Sequence, residues 1–473
     1  MRRLSFLGLA SIVFYACSSG QQALPGSPDA TTDGAGTTDA FHAPDATDAG
    51  GDATTADDSG FDAPPPLDGN FGWDVTGVDA AISHPCGLPG SIQYTSGGVV
   101  VVPGGKTVPD MSFLHVPTGF CVHYYGTVDN ARQLRLAPGG ELFVTSPTTS
   151  TTGGGLGGLS AIAVLPDDDH DGVGDAVLTY LGPLPSTQGL LFTGGFLYYQ
   201  DTTRIMRVPY AIGDRTASAA SQEVADITIY TSALHWPKTF DIADDGTIYV
   251  GNGGDQSESC DPLRPFHGGI LALDGTVGGK PVAKGLRNPI AVRCARGHDR
   301  CFAVELALDG SNTPDVGREK ILPIRPGDDW GFPCCGTLNA PYQGITPTPD
   351  CSGVAVESDS FVIGDTPFGI DFETGAWPAP WTSNALVTLH GTAATWGGAR
   401  IVAIAMDPTT GLPVAGSDLD GSDTGGMTDF ATGWDNAKHA HGRPASLAFS
   451  ADGRLFIGND NDGTIVWVAP LSL

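Results

Sequence analysis

Positive charge is what this chain has least of. Lys and Arg together number 23 against 53 Asp and Glu, for a formal net charge of −30. Such a surface repels a phosphate backbone, which excludes nucleic acid as a partner. Helical periodicity is missing from every long window, so a helical protein is excluded as well. Charged residues make up only 16% of 473 positions, whereas Gly (67) and Pro (36) are abundant. That balance suits many short strands joined by turns. Nine cysteines occur without a single CxxC pair, which weakens a zinc reading.

What is present begins with an address. Arg2 and Arg3 precede an apolar stretch at 4–16, which ends at Cys17 with Ala16 before it. A basic start and a short apolar run read as an export signal, too short for a comfortable permanent span. The junction resembles a bacterial lipoprotein signal over 1–16, with Cys17 as the lipidated residue. Ordinary secretion is the alternative. Both readings place the protein outside the cytoplasm, at the outer membrane or cell surface, or else in the periplasm. Membrane contact is then through the anchor alone. Eight cysteines remain, an even number that suggests disulfides in an exported chain. Cys294 and Cys301 flank a turn and form the best candidate pair. Cys334 and Cys335 cannot easily bond each other, which leaves one of them for Cys351.

Residues 17–85 are built from Asp, Ala, Thr, Gly and Pro, and no Lys or Arg occurs between Arg3 and Lys106. This segment has too little apolar surface to fold and is expected to be a disordered acidic tether. From 86 to 473 short apolar runs alternate with turn signals. The stretches 134–145, 189–199, 240–250 and 447–457 each read as strand, Gly-containing turn, strand; 290–305 is a fifth with a longer turn. Hairpins repeated over nearly four hundred residues imply a radial array of small sheets, a β-propeller. At 167–176, Asp167, Asp169 and Asp171 fall at i, i+2 and i+4, followed by Gly172 and Asp175. This spacing resembles the start of a calcium loop; an exposed acidic hairpin tip is the other reading. Four carboxylates this close repel unless neutralised, which favours Ca2+.

Four segments carry a family resemblance. They are HisTrpProLysThrPheAspIleAlaAspAspGlyThrIleTyrValGly (235–251), GlyLeuArgAsnPro (285–289), ArgGluLysIleLeuPro with GlyAspAspTrpGlyPhePro (318–333), and HisGlyArgProAlaSerLeuAlaPhe (441–449). In this order they resemble the soluble glucose/sorbosone dehydrogenases, β-propellers that use pyrroloquinoline quinone (PQQ). The resemblance covers nearly all of 112–469. It implies six blades, so the expected fold is all-β, a six-bladed β-propeller preceded by a disordered acidic tether.

The same resemblance implies roles. His235 stands where the family has a general base that takes the proton of a sugar hydroxyl, although Leu234 replaces the usual Asp before it. Lys238 follows where the family carries a basic residue. Arg287 and Asn288 match the pair that contacts the cofactor, whose three carboxylates call for guanidinium and amide donors. Arg287 is also placed with the catalytic residues. Ile290 departs from the family's next polar position. Arg443 matches the first of two cofactor-facing arginines, and Ala445 replaces the second. Arg400 sits where the family has another basic residue. The family's cofactor-polarising calcium maps to 306–319, where Asp309, Asp315 and Glu319 offer oxygen.

Two functions therefore stand at this stage. One is a quinoprotein oxidising an aldose or related polyol, with PQQ and Ca2+ as cofactors, a small sugar as substrate and an unknown electron acceptor. The other is a non-catalytic cell-surface propeller that binds carbohydrate or protein. Either is expected as a monomer or dimer. The fold does not decide between them.

Overall fold

The structure is a computed structural model. It describes residues 84–149, 155–227, 235–254, 260, 268–275, 278–296, 300–307, 318–336, 339–342, 344–355, 359–361, 364–391, 398–414, 427–434 and 441–473. The expected export signal with Cys17, the expected tether up to residue 83, Leu234, Asp309 and Asp315 lie outside these residues.

Among the described residues, regular structure is strand throughout, apart from one 3-10 turn at Pro85–Gly87. A hairpin of β1 (Ile92–Thr95) and β2 (Gly98–Val101) leads into β3 (Phe120–Thr127). Five four-stranded antiparallel blades follow in chain order. Blade one holds β4 (Gln133–Leu136), β5 (Leu142–Ser146), β6 (Ala161–Leu165) and β7 (Leu178–Leu181). Blade two holds β8 (Leu190–Thr193), β9 (Phe196–Asp201), β10 (Arg204–Pro209) and β11 (Gln222–Asp226). Blade three is β12 (Phe240–Ile242), β13 (Ile248–Asn252), β14 (Gly269–Leu273) and β15 (Lys280–Lys284). Blade four is β16 (Asn288–Ala295), β17 (Arg300–Leu306), β18 (Glu319–Pro323) and β19 (Asp359–Phe361). Blade five is β20 (Pro367–Phe372), β21 (Ala385–Leu389), β22 (Arg400–Ile404) and β23 (Met427–Ala431).

The sixth blade joins the two ends of the described chain. β24 (Arg443–Phe449), β25 (Leu455–Asp460) and β26 (Thr464–Pro470) pair onto β3, and β1 and β2 extend that sheet to six strands. The six-bladed expectation holds, and each of the five hairpins read from sequence is the first strand pair of a blade. Their turns follow local chemistry. At Asp245-Gly246, Gly246 takes φ +88°, a left-handed angle that costs a residue without Cβ little.

Blades pack face to face, so their strands are buried on both sides. This is why β5 (LeuPheValThrSer) and β6 (AlaIleAlaValLeu) are fully buried instead of alternating. Aromatic clusters fill the spaces between blades. Phe120 packs on Trp377 at 5.0 Å and on Phe430 at 5.3 Å, and Phe143 on Tyr180 at 4.9 Å.

The first strands of the blades, β4, β8, β12, β16, β20 and β24, contact one another in a closed ring. Cross-blade bonds fix them side by side. Leu134 N donates to Ser446 Oγ at 2.9 Å, and Val292 N to Thr239 Oγ1 at 3.0 Å. The tunnel they enclose holds a cavity, lined by Arg132, Gln188, Val292 and Phe368 among others, of only about 20 Å³, room for roughly one water. Its far end is blocked by charge. Arg293 grips Asp371 through two bonds of 2.8 and 2.9 Å, and Arg135 lies 3.1 Å from Asp241. Whatever this fold binds at its axis must sit at the other end, where the heads of the six inner strands meet.

Four disulfides occur among the described residues: Cys86–Cys121, Cys260–Cys334, Cys294–Cys301 and Cys335–Cys351. The two pairings read from sequence are among them. The adjacent Cys334 and Cys335 serve separate bridges. Before them, the chain after β18 runs beside β15: Lys284 N donates to Asp328 O at 3.0 Å and Trp330 N to Lys284 O at 2.9 Å. This carries a blade-four insertion onto blade three, where the Cys260 bridge fastens it.

Candidate functional site

Two groups of polar side chains stand at the heads of the inner strands. The first is built by blades three and four. His235 precedes β12 and is 4% exposed. Its ring nestles against Gly253, where a Cβ would come within 2.3 Å of the His235 Cβ, so only glycine fits there. The His235 Nδ1–H donates to Gly254 O at 2.5 Å. This fixes the tautomer and leaves Nε2 as the lone-pair nitrogen. Burial, with the Arg287 charge beside it, holds the ring down to about 4. At neutral pH His235 is thus an unprotonated imidazole.

Lys238 is fully buried. Its Nζ donates to His235 O at 2.9 Å, and its N–H goes to Gln200 Oε1 at 3.0 Å. Burial lowers this ammonium to about 7. With no exposed atom, Lys238 braces the His235 turn from behind and is not placed to touch a ligand.

Arg287 Nη1 donates to Ala307 O at 2.8 Å. The Arg287 N–H goes to Glu305 Oε1 at 2.7 Å, and Lys320 holds the other Glu305 oxygen at 3.1 Å. Asn288 heads β16, and its Oδ1 is buried with no hydrogen-bond partner among the described residues. The same is true of Gln188 Oε1, at the tunnel lining before β8. Both are acceptors with an unmet demand for a donor.

Blades five, six and one build the second group. Arg443, at the head of β24, has its Nε 3.9 Å from Asp460 Oδ1. Arg132, just before β4, places Nη1 2.7 Å from Asp460 Oδ2, and His390 Nε2–H donates to the same oxygen at 2.8 Å. The Arg132 guanidinium lies 4.9 Å over the Phe368 ring, which stacks on His390 at 4.4 Å. Burial keeps His390 neutral, down to about 4. Asp460 is held ionised, well below the usual carboxylate range: against the cost of burial, the His390 N–H and the two guanidiniums win. Two guanidiniums, one carboxylate and a neutral imidazole leave a net charge of +1 in a chain of −30. Arg132, His390, Asp460 and Gln188 were not singled out in the sequence. His390 opens a HisGlyThr stretch similar to one in the resembled family, but nothing local marks Arg132, Asp460 or Gln188, because they converge only when the ring closes.

The other expected residues lie elsewhere. Arg400 lines a cleft of about 760 Å³ on blade five. Its guanidinium is already committed, with Nε to Asp429 at 2.9 Å, Nη2 to Asp365 at 3.1 Å and Nη1 to Gly398 O at 2.8 Å. Glu319 is 5% exposed and accepts the Thr366 N–H at 2.5 Å. The acidic loop follows β6, whose tail points away from the heads of the inner strands, so it is on the opposite face from His235. There Asp167, Asp169 and Asp175 bring oxygens within 4.8 Å of one another. The Lys106 ammonium sits among them, 3.5 Å from Asp169, 3.0 Å from Asp171 and 3.2 Å from Asp175. The charge that argued for a cation is therefore met in part by the chain itself.

No family model and no curated protein matches the chain. Solved structures do. A Trichoderma reesei carbohydrate-active enzyme of family AA12 is similar at 18% identity, over 77% of this chain and 100% of its own, with a TM-score of 0.63. The PQQ domain of pyranose dehydrogenase from Coprinopsis cinerea, in its holo form, shares 17% identity over 75% of this chain and 97% of its own (TM-score 0.59). A PQQ-bound aldose sugar dehydrogenase from Streptomyces coelicolor shares 17% identity over 75% and 99% (TM-score 0.50). At these identities the likeness establishes the fold.

Proposed function

We propose that the chain is a quinoprotein that oxidises an aldose or related polyol at the mouth of its tunnel. One observation carries the reading: a neutral, tautomer-fixed imidazole shares the inner-strand heads with Arg287, Asn288, Arg132 and Arg443. Guanidinium and amide donors are the chemistry that a flat polycarboxylate needs. The orphaned Asn288 and Gln188 oxygens suit a ligand that also donates. Arg132, Arg443, Arg287 and Asn288 would hold PQQ by its carboxylates and carbonyls. When bound, the quinone supplies the acceptor for a hydride. The chain's own part is proton transfer and exclusion of water. His235 Nε2 accepts the proton of the sugar hydroxyl, while the Gly254 carbonyl steadies the imidazolium through Nδ1–H. Lys238 fixes the backbone from which that ring projects. The narrow, salt-bridged tunnel keeps water from reaching the site from below.

The four disulfides support an exported protein, in line with a lipoprotein anchored at Cys17. Calcium at Asp167, Asp169, Asp171 and Asp175 would be structural, since that loop is on the far face, and it would have to compete with Lys106. A second reading, a non-catalytic carbohydrate-binding propeller, draws on Ala445 and on the saturation of Arg400 by two carboxylates. Equilibrium titration with PQQ decides between them. The wild type should bind it and bleach with aldose, and Arg132→Ala and Arg443→Ala should each weaken binding by at least tenfold. A wild type that binds no PQQ leaves only the second reading.

A further inference from the structure

Among the described residues, no strand pairs with the outer edge of the sixth blade. Among the described strands β2 is the outermost of its sheet and pairs with β1 alone, through Ile92↔Val101, Gln93↔Val100, Tyr94↔Val99 and Thr95↔Gly98. Its side chains are open on both faces: Val99 is 61% exposed, Val100 50% and Val101 61%. Edge strands are usually blunted by charge or Pro within them, because their free amides template further pairing. This one carries four consecutive valines, 99–102, with Pro103 only after them.

Its amide pattern is readable. Val102 N donates to Ser91 O and Val102 O accepts from Gly90 N, both at 2.9 Å. Strand amides alternate in direction. Val102, Val100 and Gly98 therefore turn inward to β1, while Val99 and Val101 turn N–H and C=O to the open side. An antiparallel copy of the same strand, centred on Val100, would set Val99 of each copy against Val101 of the other. Both are outward-facing, so each pair can exchange two hydrogen bonds. Val100 then meets Val100 in the close, non-hydrogen-bonded position between them, where β-branched side chains pack well. The edge is thus complementary to itself.

Local charge permits that occupant. From Ala80 to Pro109 the sequence holds no Asp or Glu and a single Lys, Lys106, in a chain of net charge −30. Two copies pairing here place no carboxylate of this stretch at the contact, so the mutual repulsion of two acidic bodies is not sharpened at the edge itself.

We propose that the β2 edge is a homodimer contact, joining two propellers by antiparallel pairing of β2 on β2 about a two-fold axis at Val100. A four-residue strand covers much less than the roughly 1,200 Å² of a stable interface. The dimer is accordingly weak and forms only at high local concentration, as when chains share one membrane surface.

The test is sedimentation velocity on the full chain carrying Cys17→Ser, so that no lipid drives association. Loading runs from about 5 to 500 µM, in low and high salt. A reversible monomer–dimer shift that strengthens with salt is expected, since salt screens the acidic bodies. Val100→Lys should hold the chain monomeric, and Val100→Thr should retain the shift. Amide exchange at Val99 and Val101 should slow as concentration rises, a readout on the unaltered strand that does not depend on the Lys variant folding. A monomer at every concentration, a dimer untouched by Val100→Lys, a dimer that salt dissolves, or exchange at these amides that ignores concentration would each overturn the proposal.

Discussion

Replacing Lys238 by Met should make this protein more stable, although it removes a buried hydrogen bond. The ammonium is fully enclosed, and its one described partner is the His235 carbonyl. Burial drops it from 10.5 to about 7, so holding its charge inside at pH 7 costs about 5 kcal/mol. Met fills nearly the same space without the charge. It leaves the His235 carbonyl unsatisfied, at about 1–3 kcal/mol. The net expectation is a gain of about 2–4 kcal/mol at pH 7. The sign with pH follows from linkage. The folded value lies below the unfolded one, so the unfolded chain binds more protons between pH 7 and 10.5. Wild-type stability therefore rises across that window, by about 1.4 kcal/mol per pH unit. The variant lacks this contribution, so its advantage should vanish between about pH 8.5 and 10 and then reverse, the unsatisfied carbonyl being all that is left. Denaturant unfolding of both proteins at pH 7, 8 and 9, with disulfides intact, measures the difference. A Lys238→Met protein that is less stable at pH 7, or a gap that stays constant with pH, would refute the argument.

Three further outcomes follow. His235→Gln should slow sugar oxidation by about 10²–10⁴-fold with PQQ affinity nearly unchanged, and the wild-type acid limb should fall near pH 4, where His235 titrates, and not near 6.5; a variant that loses affinity instead assigns His235 to binding. Because Lys106 occupies the acidic loop, millimolar calcium should raise the melting temperature more in Lys106→Met than in wild type, and equal shifts would show that the carboxylates hold no metal. Opening Cys260–Cys334, which spans 74 residues, should cost about 4 kcal/mol, against about 2–3 for Cys294–Cys301, which spans 7; denaturation midpoints of the paired Cys→Ser variants check the order.

The parts of the fold that were legible were those written locally. Hairpins such as 240–250 announce themselves because a Gly with left-handed φ sits between two apolar runs. Blade five was harder to see: twelve residues separate β20 from β21, and Glu373 ties that loop through the amides of Gly375 and Trp377. The Cys86–Cys121 and Cys260–Cys334 bridges were hidden for a related reason, since each joins segments that neighbour one another only in the sheets. His235, Arg287 and Asn288 could be found because each belongs to a recognisable stretch. Arg132 could not. It reaches Asp460 across 328 positions, a proximity created by ring closure and by nothing in the surrounding sequence. Lys238 and Arg400 were read as ligand contacts from their places in the resembled family, whereas one is enclosed and the other is spent on Asp365 and Asp429.

The sixth blade has a temporal consequence. Its β3 comes from near the start of the described residues and its other core strands from Arg443–Pro470, with Thr127 paired to Thr464 and Phe120 to Pro470. The clasp cannot shut until β26 has been delivered. Until then blades one and five each wait with one flank bare, and the ring gains its cooperativity in a single late event. A chain without β26 would lose more than one strand: it would be a ring that never locks.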